Sequence, residues 1–157
     1  MNDSEAFVNW LKRQSYTDSG RIGIYGWSGG GTYTLLAMTC TKEFKAGIAG
    51  APVTDWRYYD TKYTEAYMRT PKDNPTGYNG TSLIDKAKNL SGRLLIMHGS
   101  ADDNVNIQNT WHFIDKLIAE GKTFDMMLYP NRKHSFEDKE AKIHRLKAQI
   151  EFWLKNL

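Results

Sequence analysis

The sequence predicts an α/β fold built on a parallel sheet covered on both faces. Two observations carry this: short β-branched or small-residue runs alternate with longer helical runs, and the short runs are apolar throughout instead of alternating with polar residues. A third sets the scale. The chain has 157 residues, 40% of them hydrophobic and 13% aromatic, enough to bury a core. No internal repeat, low-complexity tract or linker divides it, so residues 1–157 read as one piece of one domain.

Residues 2–13 open with Asn2 and Glu5 in the spacing of a capping box and continue with Phe7, Trp10 and Leu11 at helical spacing. After the turn residues YTDSG, the run RIGIYG predicts a buried strand, GWSGGG a sharp turn, and TYTLLAMTC a helix. KAGIAGAP predicts a second strand ending at Pro52, and VTDWRYYDTKYTEAYM an aromatic loop with a short helix. Residues 70–82, rich in proline and turn residues, predict an excursion outside the core. RLLIMHG and FDMMLYP complete a set of about four strands. Between them, Ile107, Trp111, Ile114 and Ile118 mark a helix stopped by Gly121. After them, Ile143, Leu146, Ile150 and Trp153 mark one face of a last helix.

Lys and Arg number 21 against 18 Asp and Glu, a net charge of +3 with the signs mixed, which excludes a nucleic-acid footprint. No stretch approaches the roughly 20 apolar residues that span a bilayer. The N-terminus has neither the basic flank nor the apolar core of a signal peptide, and no compartment can be assigned. The single cysteine, Cys40, is read as a packed small hydrophobe and not a nucleophile. No histidine pair has metal-ligand spacing on one element, so neither metal nor cofactor is expected.

The chemistry is concentrated in Gly26-Trp27-Ser28-Gly29-Gly30, a Gly-x-Ser-x-Gly sequence directly after a strand and before a helix. It matches the nucleophile-elbow motif, in which a strained strand-to-helix turn exposes a serine hydroxyl. A Cβ on either flanking glycine is expected to collide with the neighbouring strand or helix, and the Gly29 N–H faces a developing oxyanion. A phosphate-binding reading of GWSGGG fails, because no Gly-Lys-Ser/Thr ending and no ribose acid follow. A serine hydroxyl needs a base oriented by a carboxylate. Asp102 follows the third strand and His134 the fourth, in the order that this fold requires, with Asp103 as rival acid. Of the other histidines, His98 lies within a strand, and His112 and His144 lie on exposed helix faces.

GWSGGG, APVTDWRYYDTKYTEAYM, HGSADDNVNIQ and the final histidine resemble the prolyl oligopeptidase family of serine peptidases, and most closely its dipeptidyl peptidase IV branch, from about Arg21 to the C-terminus. The resemblance implies Ser28 as nucleophile, Asp102 as acid and His134 as base. It also implies that Tyr59 and Tyr63 wall the pocket for the residue before the scissile bond, closed by Trp56, Val53 and Val105, with Asn104 bonding a substrate carbonyl. Stacked rings suit the flat pyrrolidine of proline.

Two departures qualify the resemblance. The branch carries tyrosine after the nucleophile where this chain has Gly29, so one aromatic wall is absent. The family's catalytic domain has eight strands, of which only the last four are expected here. The missing half carries the second oxyanion donor and the propeller holds the substrate amine. The chain is therefore expected to be the C-terminal half of an α/β-hydrolase domain, with its first strand an exposed edge that pairs with another copy. The expected activity is an exopeptidase acting after proline or alanine near peptide N-termini, with peptides as partners. An esterase or acyl-peptide hydrolase, or a catalytically silent interaction domain, are the alternatives.

Overall fold

The computed structural model describes the backbone of residues 2–157 and the side chains from Asp3 onward. The expected Asn2 capping box depends on a side chain outside the described residues. The elements are α1 (Asn2–Leu11), β1 (Gly23–Trp27), α2 (Gly29–Cys40), β2 (Ala46–Gly50), α3 (Thr61–Met68), α4 (Pro75–Thr81), β3 (Arg93–Gly99), α5 (Gln108–Ala119), β4 (Asp125–Tyr129) and α6 (Lys139–Asn156). Short 3-10 helices cover Trp56–Tyr58 and Ile84–Asn89.

The four strands pair in parallel in the order β1-β2-β3-β4. The fold is α/β, as the continuous apolar runs predict. Alternation along each strand divides the core in two. On one face Ala49, Leu94 and Ile96 meet Leu35 and Met38 of α2 and Phe113 and Leu117 of α5. On the other, Ile48, Leu95 and Met97 meet Phe136, Ala141 and Phe152, the last two from α6. The crossover helices α2 and α5 thus share one face, and α6 covers the opposite one.

Four readings are corrected here. The excursion at 70–82 contains α4, begun by Asn74, whose side chain accepts from the Gly77 N–H at 3.1 Å, with Pro75 in the first turn. Its Tyr78 is fully buried and donates its hydroxyl to the Arg69 carbonyl at 2.8 Å. Cys40 is exposed at the end of α2, while Leu35, Ala37, Met38 and Thr39 before it are buried. The stripe Ile143, Leu146 and Ile150 points to solvent, and Leu154 beyond it is 82% exposed. The inward face of α6 carries the small Ala141 and Ala148, which let the helix approach the sheet, and lays the Arg145 guanidinium over the Trp27 ring at 4.7 Å. Trp111 and Ile118 of α5 are exposed for the same reason, since Phe113 and Leu117 take the core positions.

The turn after β1 is held open by two close backbone approaches. A Cβ on Gly26 would land on the backbone of Gly30, and one on Gly31 would land on the carbonyl of Gly50 in β2. A Cβ on Gly30 would meet nothing, so the second steric requirement falls on Gly31 and not on the flanking glycine of the motif. Gly31→Ala is expected to lower stability by about 2 kcal/mol, a fall of roughly 5 °C in Tm, whereas Gly30→Ala changes it by less than about 0.5 kcal/mol. Thermal unfolding of the two variants checks this.

Candidate active site

Ser28 sits between β1 and α2 with φ 59° and ψ −124°, a left-handed backbone conformation that costs a non-glycine residue about 1–3 kcal/mol. Neighbouring bonds hold it there. Its N–H donates to the Gly50 carbonyl at 2.8 Å, and its carbonyl accepts the Thr32 N–H at 3.0 Å. Its side chain caps nothing, leaving Oγ available above the C-terminal ends of the strands. Gly29 is the first residue of α2, where a helix leaves N–H groups without intrahelical partners.

Beyond β3, the Asp102 carboxylate is buried and fully engaged. Its Oδ1 accepts the backbone N–H of Asn104 at 3.0 Å and of Val105 at 2.8 Å, and its Oδ2 accepts from His134 Nδ1 at 2.8 Å. His98 Nε2 lies 3.3 Å from the same Oδ2 and 2.9 Å from the Val105 carbonyl. A carbonyl can only accept, so the proton resides on Nε2, and the Thr110 hydroxyl donates to Nδ1 at 2.7 Å. Burial pushes the Asp102 carboxyl up, but the bonds from His98, His134 and Asn104 outweigh it and hold the group below the usual carboxylate range.

His134 stands on the loop after β4. The indole N–H of Trp27, the residue before Ser28, donates to the His134 carbonyl at 3.1 Å and ties that loop to the elbow. With Nδ1–H given to Asp102, Nε2 is the ring atom left to accept a proton. No hydrogen bond joins it to Ser28 Oγ among the described residues. Such bonds tighten when substrate arrives. The rival Asp103 is exposed and pairs with Lys133 at 3.0 Å.

The aromatic segment packs beside this group. Asn109 of α5, fully buried, accepts the Thr54 N–H at 3.0 Å and donates to the Tyr58 carbonyl at 3.1 Å, fixing the segment to the core. Trp56 stacks on Tyr63 at 6.1 Å between ring centroids, and Tyr59 meets Tyr63 edge-on at 5.6 Å. The Tyr59 hydroxyl donates to Asn104 Oδ1 at 2.9 Å, and Val53 and Val105 are buried.

The family model of the prolyl oligopeptidase family matches residues 1–157. The chain belongs to that family. Similar relatives include a probable dipeptidyl-aminopeptidase B of Emericella nidulans, 49% identical over 81% of this chain and 14% of its own length. One from Phaeosphaeria nodorum is 45% identical over 98% of this chain and 17% of its own length. The crystal structure of Porphyromonas gingivalis dipeptidyl peptidase 4 superposes with a TM-score of 0.96 at 44% identity, covering 99% of this chain and 22% of that one. The chain thus spans less than a quarter of the length of these relatives.

Within this member of the prolyl oligopeptidase family, the structure brings Asp102 and His134 into contact, tethers His134 to the elbow that carries Ser28, and gathers Trp56, Tyr59 and Tyr63 with Asn104. Gly29, the exposed first residue of α2, has open space around its missing Cβ and lines a cavity together with Trp56. His98 and Asn109 were not singled out as site residues in the sequence. Only the adjacency of His98 to the Asp-Asp pair hints at its part.

The lowered Asp102 pKa means that the folded chain binds fewer protons than the unfolded chain at acid pH. The stabilisation is fully present above the unfolded value, about 3.9, and is lost as pH falls through the lower folded value. An Asp102→Asn variant is expected to have a flatter acid limb, the difference in slope reaching up to about 1.4 kcal/mol per pH unit. Denaturant midpoints measured from pH 6 down to about pH 2 compare the two, and equal slopes would refute the assignment.

Proposed function

We propose that this chain carries the catalytic centre of a serine exopeptidase that cuts after proline or alanine near peptide N-termini. The observation that carries the reading is the 2.8 Å bond from His134 Nδ1 to Asp102 Oδ2, on a loop tethered to the elbow by Trp27. His134 Nε2 takes the Ser28 proton as Oγ bonds to the scissile carbonyl carbon. The Gly29 N–H donates to the oxyanion, and His134 returns the proton to the leaving amine as the C–N bond breaks. Water then attacks the acyl-enzyme by the same route in reverse. Asp102 holds the tautomer and stabilises the imidazolium. Tyr59, Tyr63 and Trp56, backed by Val53 and Val105, receive the side chain before the scissile bond, and Asn104 bonds a substrate carbonyl. The names of the dipeptidyl-aminopeptidase and dipeptidyl peptidase relatives support an exopeptidase acting near peptide N-termini.

A fluorophosphonate probe tests the triad. Labelling at Ser28 is expected, lost in Ser28→Ala and reduced at least about a thousandfold in rate in His134→Ala. No labelling of a folded chain would overturn it. Hydrolysis of a simple acyl ester without any hydrolysis of a proline-linked anilide would favour an esterase or acyl-peptide hydrolase.

The proposal extends to assembly. β1 closes one side of the sheet with no strand beyond it among the described residues, and its Tyr25 is 50% exposed. An open strand edge offers unpaired N–H and C=O groups, so β1 pairs with a second copy of the chain. Sedimentation at increasing concentration is expected to show dimer, and a monodisperse monomer at high concentration would refute the pairing. Among the described residues no helix is long and apolar enough to cross a membrane.

A further inference from the structure

Beside the elbow lies a cavity of about 330 Å³, between α2 and the end of α4, lined by Gly29, Tyr33, Leu36, Trp56, Thr81 and Leu83 among others. Two of these residues belong to the site above. Trp56 stacks on Tyr63, and Gly29 follows Ser28. A Cβ on Gly29 would meet nothing within 4 Å, so the way from Ser28 toward the cavity is not closed by a side chain.

The lining selects the chemistry that fits. It holds no charged side chain. Its hydroxyls are engaged within the chain: Thr32 Oγ1 accepts the Val53 N–H at 2.9 Å, Thr81 donates to the Gly77 carbonyl at 2.7 Å, and the Tyr33 hydroxyl bonds Ser4. A charged group entering here would lose water and meet no opposite charge, whereas an apolar group gains burial. The volume is about that of ten waters, more than a pyrrolidine ring fills.

We propose that the residue before the scissile bond is not confined to proline or alanine, and that peptides with a larger apolar side chain there, leucine or phenylalanine, reach past Gly29 into this cavity. This rests on the triad reading given above and names a wider substrate class for the same site.

Dipeptidyl diphenyl phosphonates test it on the 157-residue chain. In each, Ser28 Oγ bonds to phosphorus and phenoxide leaves, with His134 taking the serine proton. Probes carrying leucine or proline next to phosphorus are compared as a labelling-rate ratio within each variant, so that a general loss of reactivity cancels. The expected leucine-to-proline ratio is one or more, falling at least tenfold in Gly29→Tyr, which closes the entry, and in Leu36→Trp, which fills the cavity from α2. A ratio below one tenth in the parent chain, or one unchanged in both variants while a plain fluorophosphonate still labels Ser28, would overturn this inference alone. Failure of the fluorophosphonate itself would overturn the triad reading and this inference with it.

Discussion

A carboxylate taken out of water costs several kcal/mol unless its oxygens are bonded, and the Asp102 oxygens are bonded on every side. Much of the site follows from that requirement. The two N–H groups that satisfy Oδ1 belong to Asn104 and Val105, so bonding the carboxylate also shapes the loop that offers the Asn104 side chain to Tyr59. The Val105 carbonyl accepts from His98, which Thr110 of α5 holds from its other side. One buried charge at the end of β3 thus fixes the histidine on the next loop, the edge of the aromatic pocket and the start of α5 together. Cutting any one of these bonds would leave part of the charge unpaired.

The second constraint is steric and lies one strand away. The Ser28 backbone is strained, and the close approaches of Gly26 to Gly30 and of Gly31 to Gly50 are what allow the turn to exist. Trp27 links this turn to the rest. Its indole N–H holds the His134 carbonyl, its ring carries the Arg145 guanidinium of α6, and its face lies where a Cβ on Gly50 would stand. The elbow, the histidine loop and the last helix are therefore packed as one unit, with small residues wherever backbones meet.

The same economy leaves surfaces unfilled. Among the described residues β1 and β4 end the sheet, and Ile143, Leu146 and Ile150 of α6 face solvent while Ala141, Ala148 and Phe152 face the core. Beside the elbow, the absence of a side chain at Gly29 connects an apolar cavity to the aromatic segment through Trp56.

By itself the sequence determined the α/β class and the number of strands, and it offered Ser28, an acid at Asp102 or Asp103, and His134 as candidates in the order serine, acid, histidine. Those are properties of local patterning: continuous apolar runs need cover on both faces, and a Gly-x-Ser-x-Gly turn between strand and helix has few other uses. Tertiary structure decided the rest. Periodicity shows that a helix has an apolar face but not which neighbour that face meets, so the α6 stripe at Ile143, Leu146 and Ile150 could not be placed. Turn residues at 70–82 concealed α4, because Asn74 capping and the burial of Tyr78 depend on partners brought from elsewhere. The His98 and Asn109 anchors, the choice of Asp102 over Asp103 and the cavity beside Gly29 are relations across β3, α5 and α2. No local pattern encodes them, because each arises only where separate elements meet.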